Sequence, residues 1–128
     1  TDLTQGSNDS RTYGGYFNSL FTGTFHTGVK EISSSSTFYL AGEFITTIYC
    51  ASGASGAWLM FPSINHEEGR VLIIRNSSGG SVSISRTSSE NLYLGDNSSV
   101  TTTSIGNKRT QIWQRLGDAW RLLIDQAF

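Results

Sequence analysis

GRVLIIRNSSGGSVSIS, Gly69 to Ser85, is the stretch that decides the fold, together with the closing segment RLGDAWRLL from Arg115 to Leu123. RVLIIRN is apolar on both faces over Val71–Ile74, a pattern of strands inside a sandwich or at a subunit interface. Ser77-Ser78-Gly79-Gly80 has the composition of a hairpin turn. GSVSIS then alternates, with Val82 and Ile84 inward and serines outward. Outward from this stretch the same grammar repeats. Short apolar strands are separated by Gly, Ser, Asn and Asp at roughly 8–12-residue spacing, the signature of an all-β sandwich or barrel.

Upstream, LFTGTFHTGVKEIS holds two candidate strands around Thr27-Gly28, and TFYLAGEFITTIYC two more around Ala41-Gly42. ASGASG, Ala51–Gly56, is a turn; AWLMF, Ala57–Phe61, is a short strand ended by Pro62, which cannot donate to a ladder. Downstream, NLYLG, SSVTTTSIG and KRTQIWQRL are strands, and a turn at Gly117-Asp118 leads into AWRLLI. Trp120, Leu123 and Ile124 also fit a helical i, i+3, i+4 stripe; the tight turn after an alternating strand favours a hairpin. Thr1–Ser19 reads as a linker or lead-in from an upstream region, and the absence of an initial Met suggests a fragment or processed product. Residues 20–128 form one β domain, antiparallel and sandwich or jelly-roll-like.

Composition narrows the function classes. The 128 residues include 20 Ser, 14 Thr and 14 Gly, but the 12% aromatic content lets the chain bury enough area to order. The net charge is −1, and the nine Lys and Arg are scattered, so there is no basic footprint for nucleic acid. No run approaches the roughly 20 apolar residues of a membrane span, and no signal peptide opens the chain. The single cysteine, Cys50, lies in an apolar strand and reads as a small buried hydrophobe.

Catalytic constellations are missing from the sequence. There is no Gly-x-Ser-x-Gly elbow, phosphate loop or zinc-ligand spacing. Glu67 and Glu68 are adjacent, which in a strand sends them to opposite faces and makes a poor glycosidase pair. His66 reads as a loop histidine, and Asp96 and Asp118 as turn residues. No catalytic residue, metal or cofactor is expected. The aromatics carry the binding expectation instead, because aromatic faces stack on sugar C–H faces. If Ile112 faces inward, Trp113 faces outward or into a partner subunit, which makes it the leading surface aromatic. Tyr93, Tyr13, Tyr16 and Asn97 complete the candidate ligand residues. Trp120, Trp58, Ile73, Val82 and Ile84 are expected in the core.

From about Glu43 to Ile124 the order of these steps resembles the C-terminal β-modules of bacteriophage tail fibres and tailspikes. The matching steps are WLMFPSINHEEG, VLIIRNSSGG, the Val82-x-Ile84 strand, Leu92–Gly95, the Thr/Ser strand and the closing Gly117-x-x-Trp120. The resemblance implies a homotrimer at the distal tip of a virion tail, extracellular, that binds host cell-surface polysaccharide and locks the trimer. His26 and His66 lack the His-x-His spacing of the metal-bearing tips. A purely structural trimerisation or folding cap, a monomeric carbohydrate-binding module of a secreted bacterial enzyme, and the non-catalytic module of a longer depolymerase are the alternatives.

Overall fold

The computed structural model describes residues 28–41, 45–63 and 68–128. These residues are all-β, without a helix, in eleven strands. In chain order the strands are β1 Val29–Ile32, β2 Thr37–Tyr39, β3 Thr47–Cys50, β4 Trp58–Met60, β5 Val71–Asn76 and β6 Val82–Ser85. They continue as β7 Asn91–Tyr93, β8 Ser99–Val100, β9 Thr102–Ile105, β10 Arg109–Leu116 and β11 Ala119–Ala127. The lead-in 1–19, with Tyr13 and Tyr16, lies outside the described residues, as do His26, His66 and Glu67.

Two sheets form, ordered β2-β4-β6-β9 and β1-β3-β5-β10-β11-β7-β8. From β1 to β6 the chain crosses from one sheet to the other after every strand. Each strand then pairs in parallel with the one two places earlier: β1 with β3, β3 with β5, β2 with β4, β4 with β6. This is a β-solenoid-like stack of coils. It corrects the expectation of a mostly antiparallel sheet. The turn at Ser77–Gly80 is a corner between sheets, not a hairpin, because β6 joins β4 rather than β5. The same Gly/Ser turn chemistry serves both geometries, so composition alone does not separate them.

The coils are joined at their corners by vertical hydrogen bonds. Ala51 and Ser77 donate their N–H groups to the carbonyls of Ile32 and Cys50, each at 2.8 Å. On the other sheet Trp58 donates to Ser36 at 3.0 Å and Ser83 to Ala57 at 2.8 Å. Corners stack closely enough to exclude a side chain at Gly53, where a Cβ would sit 2.6 Å from the Ser33 carbonyl oxygen. Gly53 also has φ +99°, where glycine is favoured.

Stacking places like over like. Ile48 pairs with Ile74, and Leu59 with Ile84, so apolar ladders fill the space between the sheets. Asn76 continues the ladder of Ile32 and Cys50 and is fully buried. Its Nδ2 donates to the carbonyls of Gly80 (2.8 Å) and Ile105 (2.9 Å), and its Oδ1 accepts from the Ser78 N–H (3.0 Å). A buried polar group is tolerated here because its donors and acceptor are used at the corner.

The C-terminal part reverses direction and closes the stack. β10 runs antiparallel to β5, and β11 antiparallel to β10, as the hairpin reading of this segment expects. The turn uses Gly117 at φ +68°. Phe61 meets Trp113 edge-on at 5.3 Å and Trp120 at 5.1 Å, and the Trp120 indole donates to the Pro62 carbonyl at 2.9 Å. Such aromatic contacts add about 0.5–1.5 kcal/mol each beyond burial.

Three expected placements change. Trp113 is buried, not at the surface, because Gln111, Trp113 and Arg115 form the inward set of β10 and Ile112 faces outward. Trp58 is 40% exposed rather than core: β4 alternates, so Ala57, Leu59 and Phe61 go inward and Trp58 outward. Ile73 is half-buried on the outer face of the larger sheet, while Leu72 and Ile74 take the core. Val82, Ile84 and Trp120 are buried.

Candidate functional site

β9 is the outermost strand of the smaller sheet, and beside it residues of β9, β10, β11 and the segment after β7 line an opening. The result is a groove of about 350 Å³ lined by Asp96, Thr103, Ser104, Gln111 and Asp125 over an apolar floor of Leu94 and Leu122.

A β-bulge builds this lining. Ile112 pairs with Ile124 but Trp113 pairs with Leu122, so Leu123 is the extra residue. One residue of slip flips every later side chain to the other face. Without the bulge Ile124 would stand opposite Gln111; with it, Asp125 does. The carboxylate is then held from two sides. Arg109 Nε donates to Oδ1 at 2.7 Å, and Gln111 Nε2 donates to Oδ2 at 3.2 Å. Gln111 is itself fixed by the Trp113 indole N–H, which donates to its Oε1 at 3.0 Å.

Asp96 arrives from the β7–β8 turn. Its Oδ1 accepts from the Ser98 hydroxyl (2.6 Å) and from the Ser98 N–H (3.0 Å). These bonds favour the ionised form and hold the carboxyl below its ordinary value. The groove therefore presents carboxylate, hydroxyl and amide groups beside aliphatic surface, a set that can bind a polyhydroxylic ligand. Among the described residues no three His, Cys, Asp or Glu side chains group as a metal site.

A second surface lies on the outer face of the smaller sheet. One row across its four strands is Thr37, Trp58, Ser83 and Ser104; the next is Tyr39, Met60, Ser85 and Thr102. Tyr39 is 62% exposed and, with Trp58, forms an aromatic end to an otherwise hydroxyl-rich face.

Of the candidates read from the sequence, Tyr93 and Asn97 come together, through Arg121. The guanidinium lies 4.4 Å from the Tyr93 ring centroid and donates to Asn97 Oδ1 at 3.4 Å. Arg121 thus covers a face of the Tyr93 ring. Asn97 adopts φ +70° and closes the turn by donating its N–H to the Leu94 carbonyl at 2.8 Å. Trp113 acts from beneath the groove rather than in it. Sequence reasoning missed Asp125, Gln111 and Thr103. Gln111 alternating with Trp113 was the available signal, since an inward Trp brings its i−2 neighbour to the same face.

No protein-family model, curated protein or solved structure matches the chain.

Proposed function

We propose that this chain is a glycan-binding tip module of a bacteriophage tail fibre or tailspike, acting as a homotrimer in the extracellular virion tail on host cell-surface polysaccharide. The observation that carries the binding reading is the groove. It combines hydrogen-bonding groups with an aliphatic floor, and its carboxylates are immobilised before any ligand arrives. Preorganised acceptors lower the ordering cost of binding.

Binding without hydrolysis fits the same groups. A general acid needs a carboxyl raised above its ordinary value. Asp96 is shifted the other way, and Asp125 is paired with Arg109.

The trimer reading rests on the outer face of the larger sheet. Val29, Thr47, Ile73, Ile112 and Ile124 form one row across five strands. Val29 is 65% and Ile124 49% exposed, so the row offers apolar surface for burial between copies. Three weak sites on one rigid tip would gain avidity without new contacts. The finer description of the two sheets as a sandwich also belongs to this reading.

The test is solution mass followed by a screen against host surface polysaccharides. A mass near three times the 14.0 kDa chain, with retention on at least one polysaccharide, is expected. A monomer that binds glycan would move the assignment to a solitary carbohydrate-binding module. A trimer silent towards glycans would favour the second reading, a structural cap. That reading is favoured by the β10–β11 hairpin, which ends the parallel stack antiparallel.

A further inference from the structure

Ser104 belongs to two surfaces at once. It ends the row Trp58–Ser83–Ser104 on the outer face of the smaller sheet, and it lines the groove that opens at β9. We infer that the aromatic end of that sheet and the groove form one continuous path for an extended, neutral polysaccharide chain. The inference rests on the glycan-binding reading and adds a route and a substrate class to it.

The geometry supports a path across the strands. Neighbouring strands lie about 4.8 Å apart, so a row crossing four of them extends roughly 14 Å before it reaches the groove. That is long enough to engage several sugar units. Tyr39 and Trp58 offer ring faces at one end; Ser83 and Ser104 offer hydroxyls in the middle; Asp125 and Asp96 accept hydrogen bonds at the other end. Trp58 and Tyr39 are exposed together at the same end of the sheet, so their rings are accessible to a ligand. A sugar face can stack on such a ring.

Charge selects the class. Neither row nor the groove lining contains Lys or Arg among the described residues. Among the described residues, the one cation bonded to a groove carboxylate is Arg109, which is engaged by Asp125. A uronate or sulfated polymer would meet the Asp96 carboxylate without a compensating cation. A neutral polyol would donate to it.

Affinity electrophoresis of the full chain tests this, in gels cast with neutral polymers (glucan, mannan, galactan) and with polygalacturonate. Retardation by a neutral polymer is expected. Trp58→Ala should weaken it about fivefold to tenfold, and Ser83→Gln, which places a longer side chain in mid-path, should weaken it as well. Tyr49→Ala, an exposed aromatic on the larger sheet that belongs to neither row nor the groove lining, should leave it unchanged. Both path positions are on an outer face, and an unchanged unfolding midpoint checks that each variant is folded. Retardation by polygalacturonate alone would overturn the inference while leaving the glycan reading standing. So would neutral-polymer binding indifferent to both path variants. No retardation in any gel would count against the glycan reading itself, and the path with it.

Discussion

The Trp113 indole N–H donates to the side-chain carbonyl of Gln111 at 3.0 Å, and this bond ties the core to the groove. Trp113 packs on Phe61 in the interior. Gln111 passes the constraint outward through its amide to Asp125. A core aromatic thereby sets the position of a surface carboxylate two side chains away.

Removing Gln111 should expose that coupling. Gln111→Leu leaves a buried indole N–H without its acceptor, a cost of about 1–3 kcal/mol. Adding Trp113→Phe removes the orphaned donor, so the double variant should lose less than the two single losses sum to. Urea denaturation of the four proteins measures the coupling. Simple additivity would show that the bond contributes nothing to stability.

Asn76 is the corresponding device at the corner of the stack. Asn76→Ala removes two donors and one acceptor that join the Ser77–Gly80 corner to the end of β9. The expected loss is about 2–4 kcal/mol. Asn76→Asp keeps the acceptor but loses both donors and sets a carboxylate against carbonyl oxygens, so it should be the worse of the two. Thermal unfolding of both variants checks the order.

The legibility of the fold differs from element to element for physical reasons. Val82 and Ile84 alternate with serines, and their strand is plain in the sequence. Parallel pairing is not, because Ser77–Gly80 makes an equally good hairpin or corner, and which sheet receives β6 depends on contacts remote in sequence. Trp58 and Trp113 exchange their expected places for a similar reason. AWLMF hides its alternation in a continuous apolar run, whereas β10 carries Gln111 and Arg115 inward, against the expected polarity. The bulge at Leu123 obscured the groove. It breaks the period of two in β11, produces the false helical stripe of Trp120, Leu123 and Ile124, and turns Asp125 inward.

Cys50 predicts a pH dependence. Burial pushes its thiol up from 9.0 to about 11. Below pH 9 the thiol is protonated in folded and unfolded chains alike. Between pH 9 and 11 the unfolded chain releases the proton while the folded one retains it, so stability falls as pH rises. Cys50→Ala should flatten the difference over this interval. Denaturation midpoints of the two proteins from pH 8 to 11 measure it, and parallel curves would show that Cys50 does not titrate differently on folding.

Asp96 predicts a shift at the acid end. Its carboxylate accepts from Ser98 through both hydroxyl and N–H. Carbon-detected titration should place Asp96 below the ordinary 3.8. Ser98→Ala removes the first of these causes, the hydroxyl bond, and should move the titration back up while leaving the backbone bond. A depressed folded value means that the stabilisation is present above the ordinary value and lost as pH falls through the lowered one. An unmoved titration in Ser98→Ala would assign the shift to the backbone bond.

Arg115 predicts a gain. It is 5% exposed on the inward face of β10, and among the described residues its Nε and Nη1 meet no hydrogen-bond acceptor. Its own N–H donates to the carbonyl of Arg70, the residue just before β5. Buried guanidinium nitrogens without acceptors carry their desolvation cost uncompensated. Replacing such a group by an apolar side chain of similar length is commonly stabilising. Arg115→Met keeps the aliphatic stem and removes the unpaired donors, and should raise stability by about 1–2 kcal/mol. Urea denaturation decides it. A loss instead of a gain would mean that the guanidinium is compensated in solution, and that the surroundings of Arg115 require its charge.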